Sequence, residues 1–367
     1  MGKEKLLLDA HFETDNFVDD LRKRVGKPTT IPKSLLISIL NNIWQMVGNT
    51  RFDYEDKDIN DFAQMTFNSR DNGSRIFLLD LFPWLLNILP TVVLNKIFKF
   101  QSVNELTEKI EEYFKKAINQ HKKDLNKGIV KDYIDAYLIE MERFKDDPES
   151  FFSICNLYPT VDDLLVSLVD LFVGATETTG HSIHWAIVYL AAFPNVQEKL
   201  QGEIDRVLPR GTQFFMKDKT SLPYTEAFIH EVFRMSSVAV SPTRTAIADT
   251  NIGPYVIPKG AWIMGRLISI HHDPKYWDSP HEFRPERFLN ADGNFEVPVK
   301  GFAPFGSGRR LCIGETIARM HLFVYITKLV QNFTFECPPG EKITLEDVGS
   351  PFIYIPKESQ KFLIKSR

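Results

Sequence analysis

From residue 12 to about residue 235 the apolar positions recur every three or four residues, the spacing of one helix face. Leu106, Ile110, Phe114 and Ala117 form one such face, with Glu and Lys on the other side. The preceding Ser102–Glu105, SVNE, has the capping-box pattern and predicts a helix start there. Lys131–Phe144, KDYIDAYLIEMERF, predicts another amphipathic helix. The longest element opens at Thr160–Asp163, TVDD, an N-cap with early acids. It runs on through LLVSLVDLFVGATETTGHSIHWAIVYLAAF to stop before Pro194. About thirty residues at the helical rise span roughly 45–50 Å. That helix is too apolar for a surface and too polar at its middle for a membrane, so it is expected to be a central buried element. Beyond residue 240 the pattern shortens to β-branched runs between turn signals at Asn251–Pro254 and Pro258–Gly260, which predicts a small antiparallel sheet. A helix over about Glu315–Val330 and weak strand signals close the chain. The expectation is a mainly α chain with a minor antiparallel β region, without βαβ alternation and without a glycine-rich phosphate loop.

The most apolar stretch, Phe77–Leu94, FLLDLFPWLLNILPTVVL, is interrupted by Asp80, Pro83, Asn87 and Pro90 and should not cross a bilayer as a helix. It reads either as a buried helix–turn–helix or as a loop that dips into a membrane surface. The N-terminal MGKEKLLLDAHFETD has an apolar run of only three leucines and is neither a signal peptide nor a span.

Composition narrows the function classes. The 367 residues exceed one typical core and allow two lobes or one large enzyme domain. A net charge of -4 provides no global field for nucleic acid. Phe is abundant, at 29 residues, which suits a large apolar core or pocket. The three cysteines, Cys155, Cys312 and Cys337, form no CxxC or Cys/His cluster, so neither zinc nor a disulfide scaffold is expected.

Candidate chemistry concentrates in Phe305–Gly314, FGSGRRLCIG. A lone Cys312 immediately before a helix gains from the free N–H groups and dipole of the helix start, which favour a thiolate. Gly306, Gly308 and Gly314 let the backbone approach a flat ligand closely. Arg309 and Arg310 offer cations to acidic groups on that ligand. Together these suit an axial thiolate ligand to haem iron, against the plainer reading of a free cysteine in a glycine-rich turn. Inside the long helix, Gly174-Ala175-Thr176-Glu177-Thr178-Thr179 puts consecutive polar groups in an apolar element. They read as Thr hydroxyls bonded back to carbonyls, or as proton-handling groups beside a cofactor. Glu231 and Arg234 lie at i,i+3 and can pair on one helix face. His181 and His184 share that spacing without a carboxylate pattern to support a metal.

Phe305-x-x-Gly308-x-Arg310-x-Cys312-x-Gly314 resembles, without a mismatch, the signature of the cytochrome P450 superfamily of haem-thiolate monooxygenases. The acid–Thr–Thr site is similar to Glu177-Thr178-Thr179, although Gly174-Ala175 stands where the family reads Ala-Gly, which adds a methyl at 175. YTEAFIHEVFRMSS with HEFRPERF resembles the ExxR helix and its PERF partner. Pro242-Thr243-Arg244 and IPKGAWIMGRLISIHHDPKYWDSPHEFRPERF fit the family's β region, so His271 and His272 read as structural. LNNIWQMVGNTRFDYEDKD and DYIDAYLIEM resemble the animal microsomal, drug- and steroid-metabolising branch, and FPWLLNILP its membrane-touching segment.

The resemblance implies a single domain over residues 1–367: helical 12–235, β-rich 238–290, with the haem-thiolate loop and following helix at 301–330. It implies the cytochrome P450 fold lacking its N-terminal part. It implies haem b with Cys312 as iron ligand, Phe305 packed on the sulfur side, and Gly306, Gly308, Gly314 and Ala175 lining the cofactor. Arg310 and Arg244 would meet the propionates. Thr178 and Glu177 would be catalytic, and Glu231, Arg234 and Arg287 a structural core. Val173, Val238, Val240 and the surroundings of Phe352 would meet an apolar substrate of xenobiotic, steroid or fatty-acid type. The implied reaction inserts one atom of O₂, with electrons from NADPH through a flavoprotein cytochrome reductase. The implied setting is the cytoplasmic side of the endoplasmic reticulum membrane, with peripheral contact near residues 77–94 and no transmembrane anchor. An inactive haem-binding or regulatory paralogue and a haem-thiolate isomerase or dehydratase remain as alternatives.

Overall fold

In a computed structural model, residues 3–367 are described apart from 58, 61–62, 64–78, 80–81, 99, 127–128, 145–159, 213 and 350–352. The fold is mainly α with small antiparallel sheets. Two compact units emerge, Met1–Phe17 with Pro32–Gly180, and Val18–Ile31 with His181–Arg367.

The first unit holds most of α1 (Lys3–Arg22), then α2 (Ser34–Gly48), α3 (Leu85–Ile88), α4 (Thr91–Phe98), α5 (Phe100–Asp124), α6 (Tyr133–Arg143) and the first part of α7 (Val161–Ala192). Helix α2 is buried nearly all round. Its Trp44 packs on Phe52, Tyr113, Phe114 and Phe172, with ring centroids 5.3–6.1 Å away. The buried Glu13 of α1 accepts from Tyr54 Oη at 2.7 Å and Arg51 Nε at 2.5 Å, so its charge is paired as burial demands. The expected start of α7 forms as a reciprocal capping box. Thr160 Oγ1 accepts from Asp163 N at 3.1 Å, and Asp163 Oδ2 accepts from Thr160 N at 2.8 Å. Helix α6 is capped in the same sense by Asp132, which accepts from Asp135 N at 2.9 Å.

Two sequence expectations need correction. Helix α5 begins at Phe100, so Ser102 lies inside it and is not the first residue of the helix. The early N–H of Gln101 goes instead to Asn95 Oδ1 of α4 at 2.9 Å, a partner six residues back that the capping-box template does not search. The described part of Phe77–Leu94 does not form a buried helix–turn–helix. Pro83 and Pro90 divide it into α3 and the start of α4, and Phe82, Trp84, Leu86, Ile88 and Val92 are exposed. Leu79, Leu94 and Phe98 form a small cluster of their own. Phe77 lies outside the described residues.

In the second unit the end of α7 (from His181) is buried on all sides, as is α11 (Glu315–Asn332) over most of its length. Between them in sequence lie α8 (Pro194–Val207), α9 (Pro223–Ser236) and α10 (Leu267–His271). Pro stands in the first turn of both α8 and α9, where its missing N–H costs nothing. Buried Glu203 accepts from the N–H groups of Tyr224 and Thr225, each at 2.8 Å, and so satisfies the start of α9. Strands β1 (Pro28–Thr29), β7 (Phe362–Ser366) and β6 (Phe333–Glu336) pair antiparallel in that order. The expected sheet beyond residue 240 appears as β2 (Thr243–Thr245) on β5 (Trp262–Met264), and β3 (Thr250–Ile252) on β4 (Tyr255–Ile257). Gly253 and Gly260 take positive φ at the two turns read from sequence.

Trp277 is buried in a cluster with Ala227 and Phe288. Its Nε1 donates to Gly301 O at 3.1 Å, and Gly301 has φ 84°. A Cβ on Gly301 would stand 2.6 Å from Tyr276 Cβ. Gly301→Ala should therefore cost about 3 kcal/mol, combining left-handed backbone strain with overpacking, read as a lowered urea midpoint at unchanged slope.

Candidate functional site

The second unit assembles a buried ion cluster and hangs the Cys312 loop from it. Arg234 Nε and Nη2 donate to Glu231 Oε2 and Oε1 at 2.7 and 2.8 Å, a bidentate pair with neither side chain exposed. Arg287 Nε and the N–H of Arg284 add to Glu231 Oε1 at 3.0 and 2.8 Å. One carboxylate thus faces two guanidiniums. The remaining donors are taken by carbonyls of His271, Pro280, Glu282, Asp278 and Ser279. The Trp277 ring lies 5.1 Å from the Arg234 guanidinium. Glu231, Arg234 and Arg287 are therefore together.

A run of hydrogen bonds leads from this cluster to the loop. Ser237 Oγ donates to Arg234 O at 2.9 Å and contacts His271 Nδ1 at 2.6 Å. His271 Nε2 accepts from Ala303 N at 3.0 Å. One tautomer satisfies all of these, the neutral ring with its proton on Nδ1. Burial first, and then the Arg234 cation, push His271 down to about 3, so it stays neutral. From Ala303 the chain turns through Gly306 N to Ala303 O at 3.0 Å, Leu311 N to Gly308 O at 3.1 Å, and Cys312 N to Phe305 O at 3.0 Å. Gly306 and Gly308 take φ 77° and 74°, a path that costs other residues strain. The loop fold needs those glycines, and no atom lies within 4 Å of where their Cβ would be.

Cys312 is exposed, flanked by exposed Leu311 and Ile313. Gly314 packs beneath it, its missing Cβ 3.8 Å from Sγ. Helix α11 starts at Glu315, so the thiol sits at a helix N-terminus. The Phe305 ring rests on Phe233, centroids 5.1 Å apart. Arg244, on β2, donates from Nη2 to Arg310 O at 3.3 Å, which brings Arg244 to the loop. Arg244, Arg309 and Arg310 are exposed, and among the described residues no carboxylate pairs with them. A soft donor, apolar flanks, open space beside two glycines and uncompensated cations fit a flat apolar macrocycle with acidic substituents.

The Gly174–Thr179 stretch belongs to α7 in the first unit. Thr176 and Thr178 donate their hydroxyls to the carbonyls of Phe172 and Gly174, at 2.6 and 2.8 Å. Thr176 and Thr179 are buried, whereas Ala175, Glu177 and Thr178 are half-buried and Val173 is exposed.

Val238 and Val240 are buried, and between them Ala239 is exposed, as strand alternation dictates. The alternation in SVAVS is the signal that could have found Ala239. Phe352 lies outside the described residues. Among the described residues, His121, Asp132 and Asp135 form the cluster close enough to hold a metal. His121 Nδ1 faces Ala117 O at 2.9 Å and Nε2 faces Asp132 Oδ2 at 2.8 Å. Both partners are acceptors, which suits the doubly protonated ring, and the bond to Asp132 raises its pKa. No motif marked this pair, because its members sit on different helices.

The Cytochrome P450 family model matches residues 10–364. Cytochrome P450 2L1 of Panulirus argus is 36% identical over 373 residues, covering 100% of this chain and 73% of that protein. Cytochrome P450 2J2 of Homo sapiens is 32% identical, covering 94% of this chain and 66% of that protein. Farnesoate epoxidase of Bombyx mori is 33% identical, over 87% of this chain and 62% of its own length. The chain thus spans between about three fifths and three quarters of these relatives.

Proposed function

The chain belongs to the cytochrome P450 family, in the animal branch of its family-2 relatives, and from that premise we propose a haem-thiolate monooxygenase acting on an apolar organic substrate. The observation that carries the reading is the exposed Cys312 thiol at the start of α11, in a loop tied through Ala303 and His271 to the buried Glu231–Arg234 pair. The family match runs through both compact units, which supports reading residues 1–367 as one domain.

When bound, haem b supplies the oxygen-activating chemistry, which a thiolate ligand favours by pushing electron density toward O–O cleavage. The chain's residues do the rest. Cys312 would hold the iron, and Gly306, Gly308 and Gly314 would let the backbone approach the group. Arg310 and Arg244 anchor the acidic edge, and Phe305 packs near the sulfur. On α7, Ala175 would line the cofactor, Glu177 would bring in protons, and the Thr178 hydroxyl would serve the same proton path. Val173, Val238, Val240 and the surroundings of Phe352 would meet the substrate. Electrons come from NADPH through a flavoprotein reductase. Among the described residues no helix is long and apolar enough to cross a membrane. The exposed Phe82, Trp84, Leu86, Ile88 and Val92 support peripheral contact with the endoplasmic reticulum membrane.

The test is turnover of the reductase-reconstituted protein with NADPH and ¹⁸O₂. Product carrying one labelled oxygen supports the proposal, and product formed without NADPH or label would point to an isomerase. Thr178→Ala should leave NADPH consumption running while product falls about a hundredfold, the lower end of what positioned proton transfer contributes. Thr178→Ser, which restores the hydroxyl, should recover most of it.

A further inference from the structure

Arg319 takes no part in the family signature read above, yet it touches the Cys312 loop and the ion-cluster helix together. It lies one turn into α11. Its Nε and Nη2 each sit 2.9 Å from Glu315 Oε1, and Nη1 lies 2.5 Å from His230 Nε2 on α9. The guanidinium carbon is 4.9 Å from the centroid of the Phe305 ring and 5.7 Å from that of Phe233. His230 is fixed in turn. Its Nδ1 faces Glu226 O at 2.8 Å, so that nitrogen carries the proton and Nε2 presents a lone pair to Arg319. Phe295, Phe302 and Phe288 surround the His230 ring.

Each contact constrains a different freedom of the guanidinium. Glu315 and His230 hold its edges, so its plane cannot rotate, and Phe305 meets it at distance for a cation–π contact. Phe305 also supplies the carbonyl that receives Cys312 N. Glu315 is the first residue of the helix behind Cys312, so its contact ties the guanidinium to the start of α11.

We propose that Arg319 is a positioning residue for the Cys312 loop: held by His230 and Glu315, it clamps Phe305, whose carbonyl receives Cys312 N, so that the sulfur stays aimed. This rests on the reading of Cys312 as haem ligand. The test uses the haem-loaded full chain, reduced under carbon monoxide, and reads the ratio of the red-shifted thiolate-type Soret band to the shorter-wavelength thiol-type band.

Arg319→Leu should lower that ratio roughly tenfold, the loss of a partly desolvated cation–π contact. Arg319→Lys should restore it only in part, because an ammonium lacks the planar fork. Phe305→Leu should lower the ratio likewise, and adding Arg319→Leu to it should cost less than the sum, since both act through one contact. A ratio unchanged in Arg319→Leu, with only the melting midpoint moved, overturns the proposal. Should that variant not fold, an unchanged ratio in Phe305→Leu overturns it equally. A wild-type protein without the red-shifted band overturns the haem-thiolate reading and this inference with it, whereas a normal wild-type band with insensitive variants sinks this inference alone.

Discussion

Serine at position 312 is expected to remove the red-shifted Soret band of the reduced carbon monoxide complex entirely, together with NADPH-driven product. A thiolate is a soft, polarisable donor. A serine hydroxyl is far less acidic and far harder, so neither the dipole of α11 nor nearby arginines can make it an equivalent ligand. The loop itself should survive the change. Its shape comes from backbone bonds, Cys312 N to Phe305 O and Leu311 N to Gly308 O, and from the positive φ of Gly306 and Gly308. The thiol is exposed, and exposed isosteric changes usually move stability by no more than about 0.5 kcal/mol. Cys312→Ser should therefore melt where wild type does in the absence of haem, and differ only in spectrum and turnover. A variant that kept the red-shifted band would place the ligand elsewhere.

Glu231→Ala is expected to have the largest effect on the fold. It strips the acceptor from Arg234 Nε and Nη2, from Arg287 Nε and from the N–H of Arg284. Two guanidiniums, with side chains 0% and 5% exposed, are left without a counter-charge. Removing one partner of a buried pair costs about 3–5 kcal/mol, because the desolvated charge remains. Against a total stability of roughly 5–15 kcal/mol, that takes much of the margin. The same cluster anchors His271 and Ala303, so loop order goes with it. The expected outcome is a much lower urea midpoint and a low haem-to-polypeptide ratio. Glu231→Gln keeps the shape and part of the hydrogen bonding while losing the charge, and should fall between. Wild-type stability in Glu231→Ala would show that the cluster does not hold the loop.

What could be read from the sequence was local. The cap at Thr160, the helix running to Pro194, the turns at Gly253 and Gly260, and α11 after Cys312 each follow from patterns within a few residues. The spacing of glycines, arginine and cysteine in 305–314 carried the candidate ligand in the same way. What escaped were pairings between distant positions. His230 and Arg319 are 89 residues apart, and His271 meets Ala303 across 32. Nothing near His121 announces Asp132 as its counter-ion. The start of α5 was misplaced because Asn95, rather than a residue at the helix start, receives the free N–H of Gln101. The stretch around Phe82–Val92 misled because hydrophobicity reports a preference for leaving water and not what provides the shelter. Pro83 and Pro90 cut it into helices too short to bury that surface against their own unit.

The central claim, that Cys312 places a thiolate on haem iron, is tested most directly by one spectrum. The wild-type chain, loaded with haem, reduced and exposed to carbon monoxide, should show the red-shifted Soret band that thiolate ligation produces. Full haem incorporation with only the shorter-wavelength band, or no incorporation at all, would contradict it.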